Sequence, residues 1–284
     1  MRNVRSALFL FFLFTTSFSA HAATATASSS GDLTSINGPS RTITQEMGGI
    51  NKDGDVNVDL SVFDGTGFYQ SGYSSGAPQG YIPTLQINMG IWGGELRVGG
   101  GYGTESSTRT GSLGYKFIVG PGAAYGRINF NRVSPSPNTT PGYPAKTGDF
   151  DITAGYAFSK DLKNMIINLN GEFTIDSDYF DNGTSTNQST TDLKLNGAIL
   201  MPVISKLSFI GELGFDTSAN PTKTSNGNSS TALVVGLGGR LSPNSRVTID
   251  GLVLSYASLS GSGRPYDSIS GIGTPVVLRA NYQF

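Results

Sequence analysis

The sequence predicts an all-β fold, a transmembrane antiparallel up-and-down β-barrel of about 12 strands. Two observations lead to this prediction. From Asp55 to Phe284, strand-length segments alternate apolar and polar residues, and every segment ends in a break. The breaks themselves alternate between short and long, which is the pattern of strands that pass up and down through a bilayer. Each strand places its lipid-facing residues between polar ones, so a mean hydropathy of −0.12 is compatible with a membrane protein.

The apolar phase of the alternation identifies each strand in chain order. The alternating segments that mark the predicted strands are residues 56–62, 85–91, 96–102, 113–119, 128–130, 150–158, 167–175, 193–199, 207–215, 233–237, 247–253 and 276–284. Tight turns are indicated by glycine and proline pairs such as Gly93-Gly94 and Pro121-Gly122. Longer polar breaks, including 134–147, 176–190 and 218–230, predict loops at the other rim. An even strand count keeps both termini on one side of the membrane.

The chain divides into three parts. Residues 1–22 have a short basic start, an apolar run and Ala20-His21-Ala22, which together predict a signal peptide. Residues 23–54 are rich in small polar residues without a sustained period, and we interpret them as a flexible N-terminal leader. The leader either stays in the periplasm or folds into the barrel mouth, and a short strand near 42–47 is a further alternative. Residues 55–284 form the predicted barrel.

The last strand carries the clearest pattern. Leu278, Ala280, Tyr282 and Phe284 share one face, and the chain ends on the aromatic residue. This ending resembles the C-terminal strand of bacterial outer-membrane proteins, which typically closes on Phe with an aromatic two residues earlier. The resemblance implies that Tyr282 and Phe284 form a signal read by the barrel-assembly machinery. It also implies an integral outer-membrane protein with periplasmic termini, in contact with lipids and lipopolysaccharide.

Composition argues against several classes of function. The chain has no cysteine, which excludes disulfides, thiolate metal sites and cysteine nucleophiles. Its one histidine, His21, belongs to the predicted signal peptide, so histidine-dependent hydrolysis is excluded after cleavage. We therefore expect no enzyme activity, no cofactor and no metal. The formal net charge of −1, without a basic cluster in the sequence, also argues against nucleic acid as a partner.

The polar phase predicts a strongly charged lumen. Alignment of strands by their midpoints places Arg97, Lys116 and Arg127 at similar depth on three successive strands. Like charges on neighbouring strands are destabilising, so this basic triplet requires anions, water or facing carboxylates. Two further predicted groups alternate in sign, and their members are Glu172, Lys194 and Glu212, then Asp250, Arg279 and Asp59. A basic wall facing a mostly acidic wall resembles the constriction of diffusion porins.

These features predict a porin-like channel through which small hydrophilic solutes diffuse passively. Small inward positions favour an open lumen, and they are Gly99, Gly114, Gly155, Gly214 and Gly236. The alternative is a closed barrel, because the free lumen of a 12-stranded barrel is only ~10 Å wide and cross-strand salt bridges would fill it. Such a barrel would act through its outer loops as an adhesin, a receptor or a membrane stabiliser.

Overall fold

The structure is a computed structural model. It describes residues 31–32, 42, 45–64, 81–102, 109–132, 145–181, 186–219, 230–260 and 276–284. The predicted signal peptide lies outside the described residues. Among the described residues, no helix is long and apolar enough to cross a membrane.

The described chain is a closed antiparallel β-barrel. Strand β1 (Gly31–Asp32) is a two-residue strand paired to the end of one wall strand. The wall consists of β2 (Val56–Asp64), β3 (Tyr81–Ile91), β4 (Gly94–Tyr102), β5 (Arg109–Val119), β6 (Gly122–Arg132), β7 (Ala145–Asp161), β8 (Ile166–Asp181), β9 (Thr186–Ile204), β10 (Leu207–Ala219), β11 (Ser230–Leu241), β12 (Val247–Ser260) and β13 (Val276–Gln283). Each wall strand pairs with its neighbours in the chain, and β13 pairs with β2 to close the cylinder. The predicted fold class and strand count are confirmed.

Alternation along each strand separates an outer apolar face from an inner polar face. On β13, Leu278 is 56% exposed whereas the next residue, Arg279, is only 2% exposed. The same outward exposure holds for leucines around the barrel, including Leu85, Leu113, Leu195, Leu213 and Leu237. An apolar outer surface of this extent is suited to lipid contact, and pairing within the closed wall satisfies the backbone there.

Tight turns join β3 to β4 and β5 to β6, and short connections join β7 to β8, β9 to β10 and β11 to β12. We call this end of the barrel the short-turn rim. The first of these turns places Trp92 and Gly93 at φ angles of 57° and 70°, as a two-residue hairpin turn with two left-handed positions requires. The outward Tyr115 hydroxyl donates to the carbonyls of Ile91 and Trp92 at 3.0 and 3.1 Å, and so caps this turn.

The predicted bounds of the loop 176–190 are wrong at both ends. Strand β8 continues to Asp181 and β9 begins at Thr186, and the two strands remain paired from Asp176 to Phe180. Backbone ladder bonds need no apolar alternation, so pairing continues past the point where the hydrophobic pattern stops. The predicted loops 134–147 and 218–230 lie mostly outside the described residues.

Candidate functional site

Residues 45–51 lie inside the barrel, and we call them the lumenal segment. All seven are buried. The Gly48 amide donates to Ser159 Oγ on β7 at 2.7 Å, and Asn168 Nδ2 on β8 donates to the Glu46 carbonyl at 2.8 Å. A Cβ atom at Gly48 would overlap the backbone of Ser159, so only glycine allows this close approach.

Contacts to other strands show that the lumenal segment crosses the barrel. The Asn51 amide donates to Glu95 Oε2 on β4 at 2.9 Å. Gln45 Nε2 donates to the Gly197 carbonyl on β9 at 3.1 Å. Strands β4 and β9 are separated by several strands in either direction round the wall. The segment therefore spans the lumen instead of adding a strand to the wall.

The three predicted basic residues meet at one carboxylate of this segment. Arg97 Nη1 forms an ion pair with Glu46 Oε2, and Lys116 Nζ lies 3.5 Å from the same oxygen. Arg127 Nη1 lies 4.0 Å from Glu46 Oε1. Arg97 and Lys116 are buried, whereas the Arg127 side chain is 30% exposed. We call these three cations and Glu46 the lumenal ion-pair cluster.

The register corrects the predicted depth of the triplet. Arg97 and Arg127 both pair with Gly114, whereas Lys116 pairs with Glu95 on the adjacent strand. Lys116 therefore lies two residues closer to the short-turn rim than the two arginines. Alignment by midpoints does not give this offset, because the register of a barrel depends on the stagger between neighbouring strands and not on their centres. As a result, no two of these like charges are directly opposed on neighbouring strands.

Two wall carboxylates also contact the cluster. Arg97 Nε donates to Glu95 Oε1 at 2.6 Å, and Arg127 Nη2 lies 3.8 Å from Glu172 Oε2. The Tyr125 hydroxyl donates to Glu172 Oε1 at 2.8 Å. Burial of charge is costly unless it is paired and hydrogen-bonded. The wall supplies two of the carboxylates that compensate the three cations, and the lumenal segment supplies the third.

Side chains of neighbouring residues occupy the space beside some of the lumenal glycines. The Tyr125 ring lies where a side chain at Gly155 would be, and the Asn196 amide does the same at Gly214. The cavity that adjoins the cluster has a volume of about 10 Å³, which is room for about one water molecule. Gly155 and Gly214, two of the predicted small inward positions, are therefore occupied by a neighbouring side chain.

Of the second predicted group, which consists of Glu172, Lys194 and Glu212, the structure places only the first two side by side. Glu172 on β8 pairs directly with Lys194 on β9, as the alternation of sign predicted. Glu212 on β10 instead pairs with Ala198, four residues further along β9. All three side chains belong to the inward phase, but Glu212 lies closer to the short-turn rim than the other two.

Asp250 is the centre of the third group. It pairs directly with Arg279 on β13, and the two form an ion pair. Arg240 on β11, which the sequence did not single out, donates to both Asp250 oxygens at 2.8 and 3.0 Å. Arg279 Nη1 also donates to the Thr42 carbonyl at 2.6 Å, which holds a second part of the leader inside the barrel.

Asp59 is held by amides close to this group. Asn88 Nδ2 donates to Asp59 Oδ2 at 2.9 Å, and Asn281 Nδ2 donates to Oδ1 at 2.7 Å. In the register Asp59 pairs with Asn281, whereas Arg279 pairs with Ser61. Asp59 is thus buried in the inner wall, two residues away from the depth at which the predicted alternation placed it.

The two terminal aromatics lie on the outer face at the short-turn rim. The rings of Tyr282 and Phe284 meet edge to face, with centroids 4.8 Å apart. The Phe284 amide donates to the Val56 carbonyl at 2.9 Å and so helps to join β13 to β2. Their predicted role as an assembly signal stays a prediction.

The sequence did not single out Glu46 of the cluster, nor Glu95 and Tyr125 beside it. Glu95 and Tyr125 are inward because each lies two residues from a predicted inward cation, Arg97 and Arg127 respectively. The period of two would have found both. Glu46 offers no such signal, because the leader has no strand period and its partners are distant in the sequence.

The fold and lumen together define a transmembrane β-barrel of the outer-membrane type. No protein-family profile and no curated protein sequence matches the chain. The fold is similar to that of an outer-membrane channel from Pseudomonas putida F1, with a TM-score of 0.54 and 11% identity, over 84% of this chain and 97% of that one. For LpxR from Salmonella typhimurium the TM-score is 0.47 and the identity 8%, over 80% of this chain and 99% of that one. For the NanC porin the TM-score is 0.43 and the identity 10%, over 81% of this chain and 98% of that one. At these identities the similarity concerns the fold.

Proposed function

We propose that the protein is an outer-membrane channel for passive diffusion of small hydrophilic solutes, in a state closed by the lumenal segment. One observation carries this proposal. The side of the barrel that carries Arg97, Lys116 and Arg127, which we call the cationic wall, is neutralised in part by Glu46, a carboxylate that is not part of the barrel. The opposite wall differs, because Asp250 is paired with Arg240 and Arg279 within the wall itself. A counter-ion on a separate segment can leave without disturbing any strand pairing.

The proposed orientation places the short-turn rim in the periplasm. Short turns belong there in outer-membrane barrels. Strand β1 pairs with Asp161 and Lys160 at that rim, and Phe284 meets the start of β2 there. Both the part of the leader that contains β1 and the C-terminus would then be at the periplasmic rim. We further propose export by a signal peptide, insertion by the barrel-assembly machinery, and contact with lipids and lipopolysaccharide. Transport without catalysis is proposed because no histidine follows His21.

A closed barrel that acts through its outer loops is the second candidate. The observation that favours it is the packing of the lumen, where the cavity beside the cluster is about 10 Å³. The loops themselves lie mostly outside the described residues.

Single-channel recording in planar bilayers tests the channel against the closed barrel. Gly48→Leu should prevent the lumenal segment from seating, because even a Cβ atom at this position overlaps the Ser159 backbone. Gly48 belongs to no wall strand, so the barrel itself should still form. We therefore expect longer and more frequent ohmic conductance steps from Gly48→Leu than from the wild-type protein.

The matched control is Gly111→Leu on the outer face, where an added Cβ atom meets nothing within 4 Å. It should conduct as the wild type does. If all three proteins fold, as shown by heat-modifiable migration, but remain silent, the channel is wrong and the closed barrel is favoured.

A further inference from the structure

We propose that the cationic wall is a binding site for small monocarboxylate solutes, and that Glu46 occupies this site as a resident carboxylate. A solute that brings its own carboxylate competes with Glu46 and releases the lumenal segment. This inference rests on the proposed channel function and adds to it the class of solute and the event that opens the lumen.

The contacts of Glu46 define the chemistry of the site. One carboxylate oxygen faces Arg97 and Lys116, and the other faces Arg127. Guanidinium and ammonium groups are the side chains that proteins use to hold carboxylates. A carboxylate of a solute in the same position makes the same three contacts, so the occupant already present identifies the ligand class.

The charge of the wall requires an anion in this position. Arg97, Lys116 and Arg127 face two wall carboxylates, Glu95 and Glu172. In this count the third positive charge is balanced by Glu46, which contacts all three cations. A buried cation without a partner is strongly unfavourable. Departure of Glu46 is consequently coupled to the arrival of another anion, and a single negative charge is sufficient.

The lumen has too little space to hold the Glu46 carboxylate and a solute carboxylate at once, so the two compete for the same position. The adjoining cavity, at about 10 Å³, is too small for any organic acid beside the Glu46 carboxylate. Arg127 is the most exposed of the three cations, with 30% of its side chain accessible. An incoming carboxylate therefore meets Arg127 first and gains the other two contacts only as Glu46 leaves.

The other contacts of the lumenal segment favour reversible release. At the end of the segment that leads into β2, the Asn51 amide donates to the Glu95 carboxylate and anchors the chain. Before this anchor, Gln45, Glu46 and Gly48 each make a neutral hydrogen bond with the wall, through a side-chain amide, a backbone carbonyl and a backbone amide. Water replaces such bonds at small net cost. The ion pairs of Glu46 are the part of the attachment that water does not replace, and they are the part for which a solute carboxylate substitutes.

Thiol labelling measures the release directly, because the natural chain contains no cysteine. Met47 is 1% exposed in the lumenal segment, so Met47→Cys should react slowly with the neutral reagent methyl methanethiosulfonate. Sodium lactate should accelerate labelling about tenfold and saturably. Sodium chloride at equal ionic strength, and the neutral analogue propane-1,2-diol, should have little effect.

Two variants on the Met47→Cys background locate the effect. Arg127→Gln should abolish the acceleration by lactate, whereas Lys206→Gln, at an exposed turn of the short-turn rim, should retain it. Equal labelling rates in lactate and chloride would overturn the inference, and the channel proposal would still stand if Gly48→Leu conducts. Acceleration by lactate in a barrel that stays silent as Gly48→Leu would support the carboxylate site and reject the channel.

Discussion

Gly155 shows how one residue without a side chain determines the packing of the lumen. The Tyr125 ring lies over it, and the Tyr125 hydroxyl donates to Asn170 and Glu172 at 2.7 and 2.8 Å. The methyl group of Gly155→Ala would overlap this ring and displace both hydrogen bonds. We predict a loss of about 1–3 kcal/mol in the free energy of unfolding, measured by urea titration in detergent micelles.

Gly111→Ala is the matched control for this prediction, since it adds the same methyl group where nothing lies within 4 Å. Its free energy of unfolding should stay within about 0.5 kcal/mol of the wild-type value. Equal stabilities for Gly155→Ala and Gly111→Ala would mean that the Tyr125 ring does not depend on the space above Gly155.

At the same scale, the direction of a side chain was predictable but its partner was not. Arg97 was expected to face inward because a period of two determines the phase of a strand. Its partner Glu46 belongs to a segment with no period at all. The predicted similar depth of Lys116 and Arg97 did not include their shift of two residues, because such a shift keeps the phase and changes only the depth. Sequence alternation is insensitive to such a shift.

At the scale of the element, strand β13 closes the barrel. Phe284, the residue after this strand, helps to join it to β2 through its amide and the carbonyl of Val56. Deletion of Phe284 removes this bond, worth about 1 kcal/mol, and Phe284→Asp places a charge on the lipid-facing surface. For both variants we predict a smaller heat-modifiable folded fraction and unassembled material in the periplasm.

Gln283→Ser, at the neighbouring position on the same strand, should assemble normally because it leaves the outward aromatic pair intact. Wild-type insertion of both Phe284 variants would show that the aromatic ending has no role in assembly.

Strand ends were less predictable than strand centres. The wall strands contain the segments that alternation identified, except that Phe284 follows the end of β13. Strand β9, however, has 19 residues, whereas a membrane-spanning strand needs only about 9–11. The extra residues pair with β8 beyond the apolar part of the hairpin. Because polar residues form the same ladder bonds, the sequence has no signal for where this pairing stops.

At the scale of the whole molecule, the wall was predictable and its contents were not. Lipid on the outer face and polar groups on the inner face impose an alternation that extends over the whole barrel. This alternation can be recognised in a single sequence without any alignment. The lumen is filled by long-range contacts, such as Arg279 with Thr42, which have no periodic signature. In the proposed function, conduction therefore depends on a segment that the barrel pattern does not include.

The reversal potential in a salt gradient tests most directly whether the cationic wall lines the solute path. Glu46→Gln removes the resident carboxylate, so we predict a conducting barrel that is more selective for anions than the wild type. Replacement of Arg97, Lys116 and Arg127 by Ser should shift the potential toward cation selectivity, and the shift should shrink at high salt as the charges are screened. Unchanged selectivity in both variants, together with lowered thermal stability, would contradict the channel and show that the cluster only holds a closed barrel together.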